Sequence, residues 1–273
     1  MRDDRPSAAR VTFPASWELP AFEEHEFRPK TSSYCICVFV LDEGNRFRAQ
    51  LERMRPLADE ADIVIGDGGS RDGSTSPELL RAAGVRALLV KTGPGRLSAQ
   101  MRMALAWSIA QGYKGAVVMD GSNKDDPAAV PAFLFALKEG CDHVQGSRYV
   151  PGGRGVNTPL LRHLGVKLVH APVISLAARF RYTDTTNGFR AYSRKLLTDP
   201  RVAPFRDVFQ AYELHYYLAI RAARLGFRCA ELPVTRSYPK GEPTPTRIRG
   251  FSGNARVFRT LLRAAAGRWN PSP

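Results

Sequence analysis

Val117-Val118-Met119-Asp120-Gly121-Ser122-Asn123-Lys124-Asp125-Asp126-Pro127 is the stretch on which the fold of this chain turns. Its apolar lead, residues 116–119, has the character of a buried strand. The run then passes through an Asp, a Gly and a polar cluster to Pro127. A proline suits a first helical turn, where no N–H is needed. Taken alone, such an acidic turn is ordinary cap and turn chemistry, because Asp and Asn accept from nearby backbone N–H groups. At the carboxyl end of a strand in an open α/β sheet, the same carboxylates stand in the crevice where such sheets bind ligands. Hard oxygen donors there suit Mg²⁺ or Mn²⁺ carrying a substrate diphosphate.

The flanking sequence supports the second alternative. Strand-like runs cover residues 34–41, 62–65, 85–90, 116–119 and 143–149. Helical spacing covers 45–60, 77–83, 97–111 and 127–138. Strict alternation over this length predicts a mostly parallel sheet with helices on both faces. Three suspicious loops fall at strand carboxyl ends: Asp42-Glu43-Gly44, the 66–74 turn and the 120–126 turn. The second half is less regular. It reads as a glycine-rich loop at 151–155, a long helical stretch at 158–180, a turn plus strand at 183–193, a helix at 207–225 and a strand at 228–235. A lid-like segment at 237–253 and a basic amphipathic helix at 255–266 follow. The expected organisation is an extension (1–33) packing through Phe13, Trp17 and Phe22, a ligand-binding half (34–150), an acceptor half (151–235), and a lid with its C-terminal helix (236–273).

Composition narrows the class. The 273 residues are 44% hydrophobic, which suits one large core and not a disordered chain. No apolar run reaches the roughly 20 residues of a membrane span, and residues 1–30 are too polar for a signal peptide. The net charge is +14, and residues 201–273 carry thirteen Lys and Arg against four Asp and Glu. That bias calls for an anionic partner, although Arg also far outnumbers Lys throughout. Cys35 and Cys37 alternate along a strand and so share one face; with Cys141 and Cys229 they are expected to be reduced structural thiols. The expected setting is cytoplasmic, with peripheral membrane contact through the C-terminal basic helix.

The turn Asp67-Gly68-Gly69-Ser70-Arg71-Asp72-Gly73-Ser74 follows a strand, and its glycines allow a backbone to approach a ligand. No G-x-G-x-x-G opens a helix after the first strand, and no phosphate-loop motif occurs. The usual devices for NAD and ATP are therefore missing. Read together, Asp42-Glu43, the 67–74 turn, the Asp120 loop, Gln145-Gly146-Ser147-Arg148-Tyr149 with Pro151-Gly152-Gly153, and Asp184-Thr185-Thr186-Asn187-Gly188-Phe189-Arg190 resemble family-2 glycosyltransferases. The likeness is strongest to the polyprenyl-phosphate mannose and glucose synthases. It spans residues 34–247, with five motifs in the family's order.

The resemblance implies a GT-A fold (Rossmann-like, mostly parallel, α/β), a nucleotide-sugar donor, Mg²⁺ or Mn²⁺, and inversion at the anomeric carbon. It implies that Asp42 and Glu43 touch the nucleotide, that Asp67 with Gly68 contacts the base, and that Asp120 opens the D-x-D metal motif. Gln145, Arg148 and Arg190 fall at donor contacts. Glu213 falls near the acceptor, and with Asp184 it is a candidate general base for a hydroxyl acceptor. A phosphate acceptor needs no base. The second D-x-D position is Ser122 and not Asp, so Asp125 stands as a replacement ligand, or Lys124 as a charge that neutralises diphosphate. His163 and His170 are read as structural. The acceptor is left open between polyprenyl phosphate, a glycan and a small metabolite.

Two rival classes remain. A sugar-phosphate nucleotidyltransferase would want a Gly-rich basic loop after the first strand, which Leu41-Asp42-Glu43-Gly44-Asn45 is not. A nucleic-acid or anion binder would want exposed aromatics among the basic residues, and acidic strand ends would repel its ligand, so no nucleic acid is expected.

Overall fold

The computed structural model describes residues 11–240 and 250–272. Its first half runs β1 (Phe22–Glu26), β2 (Tyr34–Val40), α1 (Gly44–Met54), β3 (Asp62–Asp67), α2 (Pro77–Ala82), β4 (Ala87–Lys91), α3 (Leu97–Ala110) and β5 (Gly115–Asp120). Then come α4 (Val130–Lys138), β6 (His143–Ser147), β7 (Arg154–Val156), α5 (Leu160–Gly165), α6 (Ala171–Ala178) and β8 (Arg190–Ser193). The chain closes with α7 (Arg194–Thr198), α8 (Glu213–Arg224), β9 (Cys229–Pro233), β10 (Thr235–Ser237) and α9 (Gly250–Ala265). A π-helical turn at Val166–His170 joins α5 and α6 into one helix, Leu160–Ala178.

Eight strands form one sheet in the order β1-β4-β3-β2-β5-β8-β6-β9, and β7 pairs with β10 beside it. The run β4-β3-β2-β5 is parallel, as the alternation predicts. β8 is antiparallel to both its neighbours, with Arg190 opposite Val118 at the carboxyl end of β5. That insertion carries the preceding loop, residues 184–189, to the end of β5. Both halves expected from sequence therefore contribute strands to one sheet.

Side-chain alternation along β2 sorts the core. Cys35, Cys37 and Phe39 pack with α3, α8 and Trp107 on one face. Ile36, Val38 and Val40 pack with α1 and α4 on the other. The two thiols do share a face, and all four cysteines are free. α3 is buried nearly all round, from Ser98 to Ile109. A third cluster, with Ile174, Tyr216, Ala219 and Leu261, welds α6 and α8 to α9.

Three expectations need correction. Residues 11–33 are more than a packed tail: Phe22–Glu26 adds an antiparallel edge strand to β4. Trp17 does pack as expected, with its ring 4.2 Å from that of Phe205. The helix expected at 207–225 begins only at Glu213. Leu160–Ala178 is a helix of 19 residues, long and apolar enough to cross a membrane by length and composition, and 17% buried. Two basic residues and two histidines interrupt its sequence, which hid it from a search for an unbroken apolar run. The lid segment falls mostly outside the described residues.

Candidate active site

A cavity of about 1430 Å³ opens at the carboxyl ends of the parallel strands. Its floor is Asp120 with Ser122 and Lys124; Asp42, Glu43 and Gly68 line one side. Leu161, Arg162 and His170 of the long helix line the other.

The Asp120 turn is held from beneath. Gly121 N–H donates to Phe39 O at 2.8 Å, and a Cβ on Gly121 would come 2.8 Å from Val40 Cγ2. Gln50, fully buried on α1, donates to Asp120 O at 2.9 Å and accepts from Asn123 N–H at 2.7 Å. Asn123 takes a left-handed conformation (φ 54°), which Asn tolerates better than most side chains. Asp126 caps the following turn by accepting from Ala128 N–H, so the bland cap chemistry belongs to this carboxylate. Asp120 keeps its side chain 27% exposed to the cavity. A Cβ on Gly188, carried in by β8, would lie 3.0 Å from Asp120 Oδ1.

Arg236, on β10, is the residue that sequence reasoning missed. Its Nη1 lies 2.5 Å from Asp125 Oδ2 and its Nη2 lies 3.2 Å from Asp120 Oδ2. Burial alone would raise the Asp120 carboxyl, but the charges of Arg236 and Lys124 outweigh it and hold it below the usual range. Burial raises Asp125 despite Arg236, and Asp120 adds like charge. Burial and Arg236 lower the Lys124 ammonium. Arg236 had no signal of its own, because an Arg at the end of a strand reads as a surface residue. Gln50 likewise looks like one polar residue on an exposed helix face.

Several expected site residues are committed to structure. Asp67 Oδ1 accepts from Gly69 N–H, Ser70 N–H and Ser70 Oγ, and Oδ2 accepts from Thr75 Oγ1. The 2% exposed carboxylate thus ties its own turn and does not line the cavity. Asp184 is wholly buried, with Arg148 Nε 2.7 Å from Oδ2 and Nη2 3.0 Å from Oδ1. Burial opposes its ionisation, yet Arg148 holds the carboxyl below the usual range. Glu213 Oε2 accepts from Gln210 N–H and Ala211 N–H ahead of α8. Neither Glu213 nor Asp184 lines the cavity. Gln145 is fully buried and donates to Gly146 O and Asn187 O. Arg190 touches the cavity, but its guanidinium is taken by the carbonyls of Asn187, His215 and Thr185. Asp42 and Glu43 do face the cavity; Asp42 Oδ1 also accepts from Arg71 N–H at 2.9 Å, lacing the two loops together.

His170 and His215 also line the cavity. Burial and Arg190 push His215 down to about 3, and burial lowers His170, so both are neutral near pH 7.

The donor set bears on the metal. Among the described residues no three His, Cys, Asp or Glu converge as a cation site. Asp125 is sealed against Arg236 and does not line the cavity, which removes it as a ligand. Asp120 does line it, and Ser122 Oγ is buried there with no hydrogen-bond partner. One carboxylate and one hydroxyl fit a cation of the Mg²⁺ type, which keeps waters and takes substrate phosphates as further ligands.

An eight-stranded, mostly parallel sheet with this cavity at its strand ends has the GT-A fold. No protein-family model matches the chain. It is 28% identical over 221 residues to an undecaprenyl-phosphate mannosyltransferase of Micrococcus luteus, covering 80% of this chain and 88% of that one. It is 27% identical over 265 residues to a polyprenol monophosphomannose synthase of Mycolicibacterium smegmatis, covering 94% and 97%. The fold is also that of a glucosyl-3-phosphoglycerate synthase of Mycobacterium tuberculosis, solved with Mn²⁺, UDP and phosphoglyceric acid. That likeness has a TM-score of 0.62 at 19% identity, over 90% and 86% of the two chains. Over most of its length the chain is therefore related to polyprenyl-phosphate mannosyltransferases, and its fold is GT-A.

Proposed function

We propose that the protein moves a hexosyl group from a nucleotide sugar to a polyprenyl phosphate at a membrane surface, by single displacement with inversion. The observation that carries the acceptor is the continuity of the cavity with an apolar face. Leu161 lines the cavity and is also 85% exposed. Leu160, Leu168 and Leu176 continue the exposed face along the same helix, and Phe258 and Leu262 add to it from α9. Isolated exposed leucines are ordinary, but a helical row of them marks a contact surface. Arg256, Arg259 and Arg263 on α9 supply positive charge for anionic lipid. The relatives named for mannosyl transfer to polyprenyl phosphates support the same acceptor.

The chemistry agrees. A phosphate oxygen is already anionic when it attacks, so the commitment of Glu213 and Asp184 elsewhere removes nothing it needs. Asp42 and Glu43 face the nucleotide side. Charge grows on the departing diphosphate, where Lys124 and Arg236 face it. A divalent cation, held by Asp120 and Ser122, would add Lewis-acid stabilisation of that charge.

The test is transfer from UDP-, GDP- and dTDP-hexoses to undecaprenyl phosphate in anionic vesicles, read as lipid-linked hexose by mass spectrometry. One donor should give product, with Asp120→Asn lowering the rate at least ~100-fold. Transfer to phosphoglycerate with none to the lipid would overturn the acceptor assignment.

A further inference from the structure

The leaving-group side of the cavity holds positive charge before any ligand enters. Arg236, 4% exposed, is anchored on Asp125 and on Asn187 Oδ1 at 3.1 Å, and it reaches across to Asp120. Lys124, from the same turn as Asp120, lies within electrostatic reach of Asp120, Asp125 and Arg236. Among the described residues, Arg236 and Lys124 face Asp120 and Asp125, so these four charges balance. A divalent cation entering alone must win Asp120 from Arg236, and it leaves uncompensated positive charge in a site largely shielded from water. A diphosphate entering alone meets two fixed cations. The two ligands entering together restore neutrality.

Building on the nucleotide-sugar function above, we propose that Arg236 occupies the cation position at Asp120 in the donor-free protein. The donor diphosphate then binds Arg236 and Lys124 without metal, and a divalent cation enters only together with that diphosphate. Asp125 keeps Arg236 in place while its Nη2 turns from Asp120 to the diphosphate. Asp125 is thus a positioning residue for the guanidinium and not a metal ligand. Metal uptake and donor binding become coupled, and the coupling is reciprocal: each ligand tightens the other by the same factor.

The test needs no turnover. Free Mn²⁺ is followed by its electron paramagnetic resonance signal as the full chain is titrated, with and without UDP or GDP. Binding of each diphosphate is measured by calorimetry in EDTA and again in Mn²⁺. One diphosphate should bind in EDTA, and its presence should tighten Mn²⁺ at least ~tenfold. Arg236→Gln should strengthen Mn²⁺ binding to the donor-free protein about tenfold and weaken the diphosphate in EDTA by a similar factor. Because that change leaves Asp125 buried without a counter-charge, Asp125→Asn/Arg236→Gln repeats the measurement with both partners neutral. Lys124→Met should weaken the diphosphate in EDTA while both Arg236 ion pairs remain. Mn²⁺ binding equally tightly with and without diphosphate overturns the proposal. So does diphosphate binding that vanishes in EDTA, or unchanged Mn²⁺ affinity in both Arg236 variants. If no diphosphate binds under any condition, the nucleotide-sugar function falls first.

Discussion

Asp120 was legible because three independent facts meet at it: an apolar strand before it, polar residues after it, and alternation that puts its strand in an open parallel sheet. Arg236 was invisible for the opposite reason. It lies 116 residues from Asp120, and only the meeting of β10 with the 120–126 turn brings the two together. Asp67, Asp184 and Glu213 show the converse: partners that the sequence does not display. Each has a residue type and loop position that suit catalysis, yet each spends its carboxylate on backbone N–H groups or on a buried arginine. A sequence displays the carboxylate and not its partners. Gly188 offers the sharpest test at this scale. In Gly188→Ala the new methyl presses on Asp120 Oδ1, the end of a side chain that can swing away. Stability measured in urea should fall by no more than about 1 kcal/mol, while kcat/KM falls at least ~tenfold as Asp120 is turned from its ligand. An unimpaired kcat/KM would show that Asp120 needs no fixed orientation.

At the scale of elements, the first half was readable almost strand by strand, because parallel βαβ units give long apolar runs and clear helical periods. The edge strand Phe22–Glu26 was not, since Glu23, Glu24 and Glu26 lie in it and its one partner is β4. β8 was read as a strand, but four residues carry no mark of antiparallel direction. The long helix was found as a helix, and its exposure came only with the structure. Its outward leucines make a prediction. In Leu161→Glu/Leu168→Glu, two residues that are 85% and 70% exposed change, so the melting temperature should shift by only a few degrees. Sedimentation with anionic vesicles should weaken more than tenfold, since two apolar contacts are lost and two negative charges meet anionic lipid. Undiminished sedimentation would assign the membrane contact to α9 alone.

For the whole molecule, buried histidines set the response to acid. His143, His170 and His215 all have lowered folded values, chiefly through burial, with Arg190 adding to two of them. The unfolded chain then binds protons that the folded chain refuses, so stability falls as pH drops below about 6.5. Each histidine contributes a slope of up to about 1.4 kcal/mol per pH unit, for His215 down to its folded value of about 3. Asp62 and Asp184, held below the usual range against their burial, stabilise above their ordinary value and add to the loss below about pH 4. Glu24, Asp125 and Glu231, raised by burial, act in the opposite sense just above theirs. Urea unfolding between pH 7.5 and 4.5 should show a steady loss of stability; a flat profile would mean that the histidines are solvated.

The antiparallel insertion of β8 also constrains how the chain is made. β6 is synthesised before β8, yet it cannot sit beside β5, because residues 190–193 belong between them. A nascent chain that has released β5 and β6 therefore carries an open strand edge at its centre, until some forty further residues have left the ribosome. Strands 2 to 5 can assemble in order, by local closures, while the floor of the cavity waits for a distant segment. The pocket cannot close until β8 and Arg236 have both been made, so a ligand held there reports that those segments have reached their places.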